Sequence, residues 1–220
     1  MTKDMTSGSP AKLIFGFAIP MFLGLLFQQF YSMVDTMIVG KFLGEDALGA
    51  VGATGSLNFL IIGFCTGVCN GFAIPVAHQF GAKKDSNLRR VVANSVWLSI
   101  IFAVVMAVLV CVFCRQILEL MNTPEDIIDG SYSYIFVIFL GIPATYMYNL
   151  LSGIMRSLGD SKTPLYLLIF SSILNIVMDL WMVAGLGLGV FGAALATLIA
   201  QGISAVFSLL IFLYRMRRYQ

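Results

Sequence analysis

Charge is scarce in this sequence. Only 11% of its 220 residues are charged and 59% are hydrophobic, whereas soluble domains are about a quarter charged. This composition excludes an ordinary soluble domain and indicates an integral membrane protein. The chain has one histidine, and its sequence offers no paired nucleophile and base, no metal-ligand cluster and no phosphate-binding loop. We therefore expect no enzymatic activity, no cofactor and no binding of nucleic acid.

Two patterns suggest cofactor chemistry but have simpler interpretations. The four cysteines occur as CTGVC and CVFC inside apolar runs, at depths that do not match, so we interpret them as buried apolar side chains. The segment GLGLGVFG contains G-x-G-x-x-G, but a dinucleotide site requires a preceding strand. Here the motif joins two apolar runs, which predicts a tight external turn.

Six apolar stretches are long enough to cross a bilayer, since a spanning helix needs about 20 residues. Glycine-rich, basic or proline-containing segments separate them. The sequence predicts an all-α, six-helix transmembrane bundle over residues 13–214, with spans at about 13–39, 50–79, 91–113, 129–152, 164–184 and 190–214.

The distribution of positive charge predicts the orientation of the bundle. Eleven of the thirteen Lys and Arg residues fall in the two terminal segments and in the second and fourth connections. Because such residues stay on the inner side, we expect both termini to be cytoplasmic and the protein to be a multi-pass protein of the plasma (inner) membrane. Residues 1–12 then form a cytoplasmic tail, and residues 215–220 begin a cytoplasmic linker.

Two acidic residues lie inside predicted spans. Asp35 comes five residues before the end of the first span at Gly40, and Asp179 comes six before the end of the fifth at Gly185. Both therefore lie roughly 8–9 Å below the outer face. A charged aspartate in the bilayer costs about 2.5–3.5 kcal/mol, so such residues normally face a cavity or a partner.

Polar side chains at helical spacing accompany these acids and predict a hydrated cavity. Asn175 and Asp179 are four residues apart in the fifth span, and Thr197 and Gln201 are four apart in the sixth. The residues that we expect to line the cavity are Gln28, Ser32, Thr54, Asn58, Asn149 and Gln201.

The spans contain no Lys or Arg that would neutralise the two acids. Two neighbouring carboxylates without a cation cannot both stay charged, so either one proton is held between them or a cation such as Na⁺ bridges them at Asp35 and Asp179. Two alternatives remain open at this point. The acids reach water at the outer interface and do nothing, or they form hydrogen bonds that only hold the bundle together.

Small residues at four-residue spacing predict two helix-packing seams. One contains Gly63, Gly67 and Gly71 in the second span. The other is the run of Gly192, Ala196, Ala200 and Ser204 in the sixth.

Several segments together resemble the multidrug and toxic-compound extrusion (MATE) transporters of prokaryotes, in particular the DNA-damage-inducible-F-like branch. They are IPMFLGLLFQQFYSMVDTMIVG with the following GKFLGEDALGAVG, then PVAHQFGAKK, RSLGDSKTP and NIVMD. The resemblance implies one six-helix lobe, the N-terminal half, of a twelve-helix fold. A C-terminal lobe, or a parallel homodimer, would complete it.

The resemblance also implies site residues. It places a cation site for H⁺ or Na⁺ at Asp35, Asn175, Asp179 and Thr197, with the Ala193 carbonyl as a further ligand. It makes Pro20 the point about which the first helix bends, and a proline inside a helix weakens it in any case.

The function we predict is cation-coupled multidrug efflux by antiport of small organic, cationic or amphipathic drugs in a lipid membrane. A lipid-linked oligosaccharide flippase of the same superfamily is an alternative, but such proteins bind anionic headgroups and should carry cavity arginines. A non-transporting membrane fragment or scaffold is another, in which the polar faces only serve packing.

Overall fold

The protein is all-helical over the residues described, 8–83 and 85–216, in a computed structural model. Eight α-helices follow one another, and a π-helical turn at Leu180–Gly185 continues α7. The helices are α1 Pro10–Leu43, α2 Glu45–Gly81, α3 Asp85–Val112, α4 Cys114–Leu120, α5 Ile128–Leu140, α6 Ile142–Ser157, α7 Lys162–Asp179 and α8 Gly189–Met216. Residues 1–7 of the predicted tail and 217–220 of the predicted linker lie outside this range.

Five of the described helices are long and apolar enough to cross a membrane, and α5 with α6 passes the same test as a bent pair, which makes six spans if the pair is counted as one. The prediction of an all-helical membrane bundle is therefore confirmed, with five to six candidate spans. The fourth span differs from its predicted form, because it is bent by 46° between α5 and α6. Gly141 lies at the break, and a Cβ atom there would come within 2.6 Å of Leu198 Cδ1 in α8. Pro143 follows in the first turn of α6, where a missing N–H is tolerated.

The first predicted connection is much shorter in the structure. Only Gly44 separates α1 from α2, with φ at +87°, a conformation that glycine adopts without the penalty of a Cβ atom. Glu45 and Asp46 then occupy the first turn of α2, where negative charge is favourable next to the helix N-terminus. The glycine-rich segment GKFLGEDALG therefore forms helix ends with a one-residue turn.

Helices α1, α7 and α8 pack against one another, and α8 also packs on α5 and α6. A separate core joins α2, α3, α5 and α6, with Ile135, Phe139 and Leu150 fully buried in it. A smaller apolar cluster unites α1, α5, α7 and α8 around Val39, Val183 and Ala193. This second cluster lies beside the predicted acidic residues.

The two predicted packing seams behave differently. On α8 the prediction is confirmed, because Ala196, Ala200 and Ser204 are at most 1% exposed. On α2 it stays a prediction, because no helix in the described part of the chain covers that face. A Cβ atom added at Gly63, Gly67 or Gly71 would meet nothing within 4 Å. That face of α2 has no neighbour in the bundle.

Candidate cation site

Asp35 of α1 and Asp179 of α7 lie next to each other. Asp179 is fully buried and Asp35 is only 8% exposed, and the two carboxyl groups are within hydrogen-bonding range of each other. Both carboxylate oxygens of Asp179 and Oδ1 of Asp35 have no hydrogen-bond donor in the described structure. The ion pairs of described side chains join Arg115 to Glu119 and to Asp129, so none of them neutralises this acidic pair.

A chain of hydrogen bonds joins α7 to α8 beside the acidic pair. Asn175 Nδ2 donates to Thr197 Oγ1 at 3.1 Å, and the Thr197 hydroxyl donates to the Ala193 carbonyl at 3.2 Å. Asn175 is 3% exposed, and its Oδ1 has no donor within the described residues. Helical spacing produces this arrangement, since Asn175 and Asp179 are one turn apart, as are Ala193 and Thr197.

Two tyrosines that the sequence analysis missed lie beside the pair. The hydroxyl groups of Tyr31 in α1 and Tyr134 in α5 are both within electrostatic range of Asp35 and Asp179. Tyr31 was detectable, because it lies one turn before Asp35 on the buried stripe of α1 that also contains Gly24. Tyr134 was not, since only the packing of α5 on α1 and α8 brings it to the site.

Of the predicted cavity residues, Gln201 shares a crevice with residues of the site. It lines a narrow crevice together with Tyr31, Asn175 and Thr197, and Ser171, Ser172 and Ala200 complete the lining. Gln28 and Ser32 lie on the exposed side of α1, so they border the open face of the bundle.

The other predicted cavity residues do not meet the acidic pair through any hydrogen bond in the described structure. Thr54 is fully buried and donates to the Val51 carbonyl at 2.7 Å. It follows Ala50 by one turn, where the Ser131 hydroxyl of α5 donates to the Ala50 carbonyl, so this side of α2 packs on protein. Asn58 and Asn149 are half-buried, and Asn149 donates to the Thr145 carbonyl at 2.8 Å.

Pro20 lies inside α1, which continues through it without a break. It is half-buried and precedes Asp35 by fifteen residues, which places it about 22 Å away along the helix axis. Direct contact with the acidic pair is therefore excluded.

Arg156 lies in the last turn of α6, which extends to Ser157 and so runs past the predicted end of the fourth span at residue 152. The side chain is half-buried, within electrostatic range of Tyr148 and Cys69. A basic group therefore lies at this end of the bundle, and the expectation that no Lys or Arg lies within a span stays a prediction.

Comparison with known proteins gives the family. The family model described as MatE matches residues 20–181. A probable multidrug resistance protein, YoeA of Bacillus subtilis (strain 168), is 35% identical over 92% of this chain and 44% of its own. The DNA damage-inducible protein F of Escherichia coli (strain K12) is 29% identical over 92% of this chain and 44% of its own.

Solved structures agree with the sequence relatives. A transporter of the MOP superfamily from Pyrococcus furiosus, described as having a binding pocket of reverse polarity, is 29% identical and superposes with a TM-score of 0.86. That match covers 91% of this chain and 44% of the other. The chain thus spans about half the length of the relatives it matches. The chain belongs to the MatE family of multidrug and toxic-compound extrusion transporters.

Proposed function

We propose that this lobe carries the coupling-ion site of a cation-coupled multidrug efflux antiporter. The observation that carries the proposal is the pair formed by Asp35 and Asp179, two buried carboxyl groups that meet without a described basic partner. Burying two negative charges side by side is prohibitive, so a positive ion has to accompany them.

The surrounding ligands support an ion at this place. Asn175 directs its Nδ2 to Thr197 and keeps its Oδ1 without a donor, so that oxygen is available to a cation or to a protonated carboxyl group. The Ala193 carbonyl and the Thr197 hydroxyl lie on the next helix turn. Either H⁺ or Na⁺ at this site would remove the repulsion between the two acids.

The direction in which the ion and the drug are exchanged follows from where the ion binds. With the positively charged connections on the cytoplasmic side, the acidic pair is nearer the outer face and takes an ion from outside. A small cationic or amphipathic drug held by the same negative charge is then released outward. One charge crossing 100 mV contributes about 2.3 kcal/mol, which corresponds to about fifty-fold accumulation.

Pro20 is the proposed hinge in this cycle. It removes one backbone hydrogen bond from α1, and α1 also carries Asp35. Neutralising Asp35 changes how strongly the outer half of α1 is held against α7, and the inner half bends at Pro20.

A second six-helix lobe completes the transporter in this proposal. The chain covers 44% of relatives such as YoeA, and the open face of α2 around Gly67 allows another helix to approach closely. The coding sequence after residue 220 tests this partner. A second six-span block in the same frame supports it, whereas a stop codon together with a stable homodimer in the membrane favours two copies of this chain.

Trp181 provides a direct test of ion binding. It lies two residues after Asp179, and replacing Trp97, the other tryptophan, with Phe leaves it as the single reporter. We expect its fluorescence to change when H⁺ or Na⁺ is added to the purified chain, and this response to be lost in Asp35→Asn and Asp179→Asn. Asp46→Asn, at an exposed acid in the first turn of α2, is the matched control.

Two further measurements complete the test. Pro20→Ala should keep the ion affinity but reduce the amplitude of the Trp181 response, since binding is then separated from bending. Ethidium, a cationic dye, should bind more weakly when the ion is present, because coupling between two sites is reciprocal. An unchanged ion response in both aspartate variants would refute the proposal.

An anionic substrate is the second candidate, and Arg156 is the observation that favours it. A half-buried guanidinium without an ion-pair partner among the described side chains attracts phosphate or carboxylate groups. In this case an anionic dye, and not ethidium, would bind to the purified chain, and Arg156→Gln would abolish that binding.

A further inference from the structure

Polar side chains continue from the acidic pair along one stripe of α8. Thr197, Gln201, Ser204 and Ser208 follow at spacings of four, three and four residues, which keeps them on one side of the helix. Ser204 and Ser208 are fully buried, and their hydroxyl groups have no hydrogen-bond partner in the described structure. Gln201 Oε1 also lacks one. We call these four residues the α8 column.

Buried polar groups are nearly always satisfied in proteins, so a row of unsatisfied ones requires an explanation. Serine inside a helix normally bonds to the carbonyl of the preceding turn, as Ser172 of α7 does with Leu168 at 2.8 Å. Ser204 and Ser208 do not make this bond. Their hydroxyl groups are therefore available to another partner.

The α8 column extends to the inner end of the bundle. The two helices run antiparallel, and Asn175 of α7 pairs with Thr197 of α8. Ser208, eleven residues further along α8, is then level with Pro164 in the first turn of α7. The Tyr148 hydroxyl donates to the Pro164 carbonyl at 3.3 Å, so α6 meets α7 at this depth. The column thus descends about 16 Å from the cation site.

We infer that the α8 column is a proton route within the lobe, connecting Asp35 and Asp179 to the inner side of the membrane. The inference rests on the proposed function and specifies its ion and the path of that ion. Consecutive column residues are three or four positions apart, which is about 4.5–6 Å along the helix axis. In the proposed route one water molecule joins each pair of side chains through two hydrogen bonds of about 2.8 Å.

Each step of the transfer conserves atoms and charge. A hydroxyl oxygen accepts a proton from the neighbour above and releases its own hydrogen to the acceptor below, so one O–H bond forms as another breaks. One proton leaves the carboxyl group of Asp179 or Asp35, and one proton enters the cytoplasmic water. Each hydroxyl group is left pointing the opposite way and rotates back before the next proton passes. The Gln201 carboxamide keeps its own N–H bonds and only accepts hydrogen bonds from the water molecules that carry the proton past it.

The composition of the α8 column favours a proton over a metal cation. A hard cation requires several oxygen ligands at one depth, whereas the column presents one polar side chain per turn. The ionisable groups nearby are Tyr31 of α1, Tyr134 of α5, and Tyr148 and Arg156 of α6.

The experiment uses the chain with Trp97→Phe, so that Trp181 reports ion arrival at the acidic pair. The protein is placed in proteoliposomes at low density, and vesicles with a C-terminal tag facing the bath are separated from the others by affinity capture. The bath is then acidified rapidly. In tag-out vesicles we expect Ser204→Ala combined with Ser208→Ala to slow the Trp181 response at least tenfold. In tag-in vesicles its rate should stay unchanged.

Ser99→Ala is the matched control. Ser99 lies on α3, is 1% exposed and is within hydrogen-bonding range of Tyr146, but it is not part of the α8 column. It should leave both rates unchanged. Ser208→Thr keeps a hydroxyl group at this position. A chain with Ser204→Ala and Ser208→Thr should therefore recover most of the tag-out rate that is lost in the chain with Ser204→Ala and Ser208→Ala.

Equilibrium titration in detergent keeps this inference separate from the proposed function. If the serine variants keep the parent midpoint and lose only the tag-out rate, the route is supported. If the serine variants keep the parent midpoint and their tag-out rate equals that of Ser99→Ala, the proton route is refuted, but ion binding at the acidic pair is not. A parent chain with no Trp181 response, or one that survives Asp35→Asn, refutes the proposed function itself.

Discussion

Single side chains set the geometry of the proposed cation site beside the acidic pair. Asn175 is fixed by one donor bond to Thr197, and Thr197 is fixed by its bond to the Ala193 carbonyl. This orientation leaves Asn175 Oδ1 unpaired in the described structure. An unsatisfied buried oxygen is costly alone but becomes favourable when a cation or a donor arrives. Asn175 and Thr197 thus act through orientation more than through charge.

Thr197→Val tests this orientation, because valine keeps the shape of threonine and removes its hydroxyl. We expect the affinity for the coupling ion to fall about fivefold, the equivalent of one net hydrogen bond of about 1 kcal/mol. Titration of Trp181 fluorescence measures it. Thr36→Val is the control, since the Thr36 hydroxyl donates to the Ser32 carbonyl on the exposed side of α1. Equal affinities in the two variants would contradict this role of Thr197.

At the scale of helices, the C-terminal end of α7 and the start of α8 are tightly packed together. The π-helical turn after Asp179 closes with a bond from Leu186 N to the Trp181 carbonyl at 2.9 Å. Gly187 and Gly189 then turn the chain with φ near +63° and +64°, which confirms the tight turn predicted from GLGLGVFG. This short connection holds α7 and α8 in the register that pairs Asn175 with Thr197.

Two glycines on different helices should respond in opposite ways to alanine. A Cβ atom at Gly192 would lie 2.9 Å from Leu188 Cβ and 3.3 Å from the Met182 carbonyl oxygen, so Gly192→Ala should lower the free energy of unfolding by about 1–3 kcal/mol. Gly67 has open space around it, and Gly67→Ala should raise the free energy of unfolding by about 0.5–1 kcal/mol.

Denaturant unfolding of the chain in detergent, followed by circular dichroism, measures both changes. Gly202→Ala is the control on α8, because a Cβ atom there also meets nothing within 4 Å. A loss of stability in Gly67→Ala would show that the open face of α2 is packed after all.

For the whole molecule, orientation in the membrane decides which face of the bundle the acidic pair is nearer to, and in the proposed function it decides from which side the ion and the drug arrive. We predict that alkaline phosphatase fused after Asn122 is active outside the cytoplasm, whereas the same enzyme fused after Gln220 is inactive. The positive charges of the terminal segments and of the second and fourth connections are the physical reason. A fusion after Gly81 is the inner-side control, and an active enzyme after Gln220 would reverse the orientation.

The number of spans and the helical class follow from the sequence alone, because apolar length and the need to satisfy backbone groups in lipid allow few other solutions. The positions of Asp35 and Asp179 within spans were equally plain, since a carboxylate is conspicuous in an apolar run. Helical spacing also placed Asn175 beside Asp179 and Thr197 beside Gln201. These are local properties of one chain segment.

Only the tertiary structure decided which polar faces meet. Tyr134 reaches the acidic pair through the packing of α5, and Thr54 is buried against α5 although its spacing suited a cavity. The glycine face of α2 has no neighbour, while the similar run on α8 is buried. Residue spacing determines which side chains share a helix face, but the direction of that face is fixed by contacts between segments far apart in the chain.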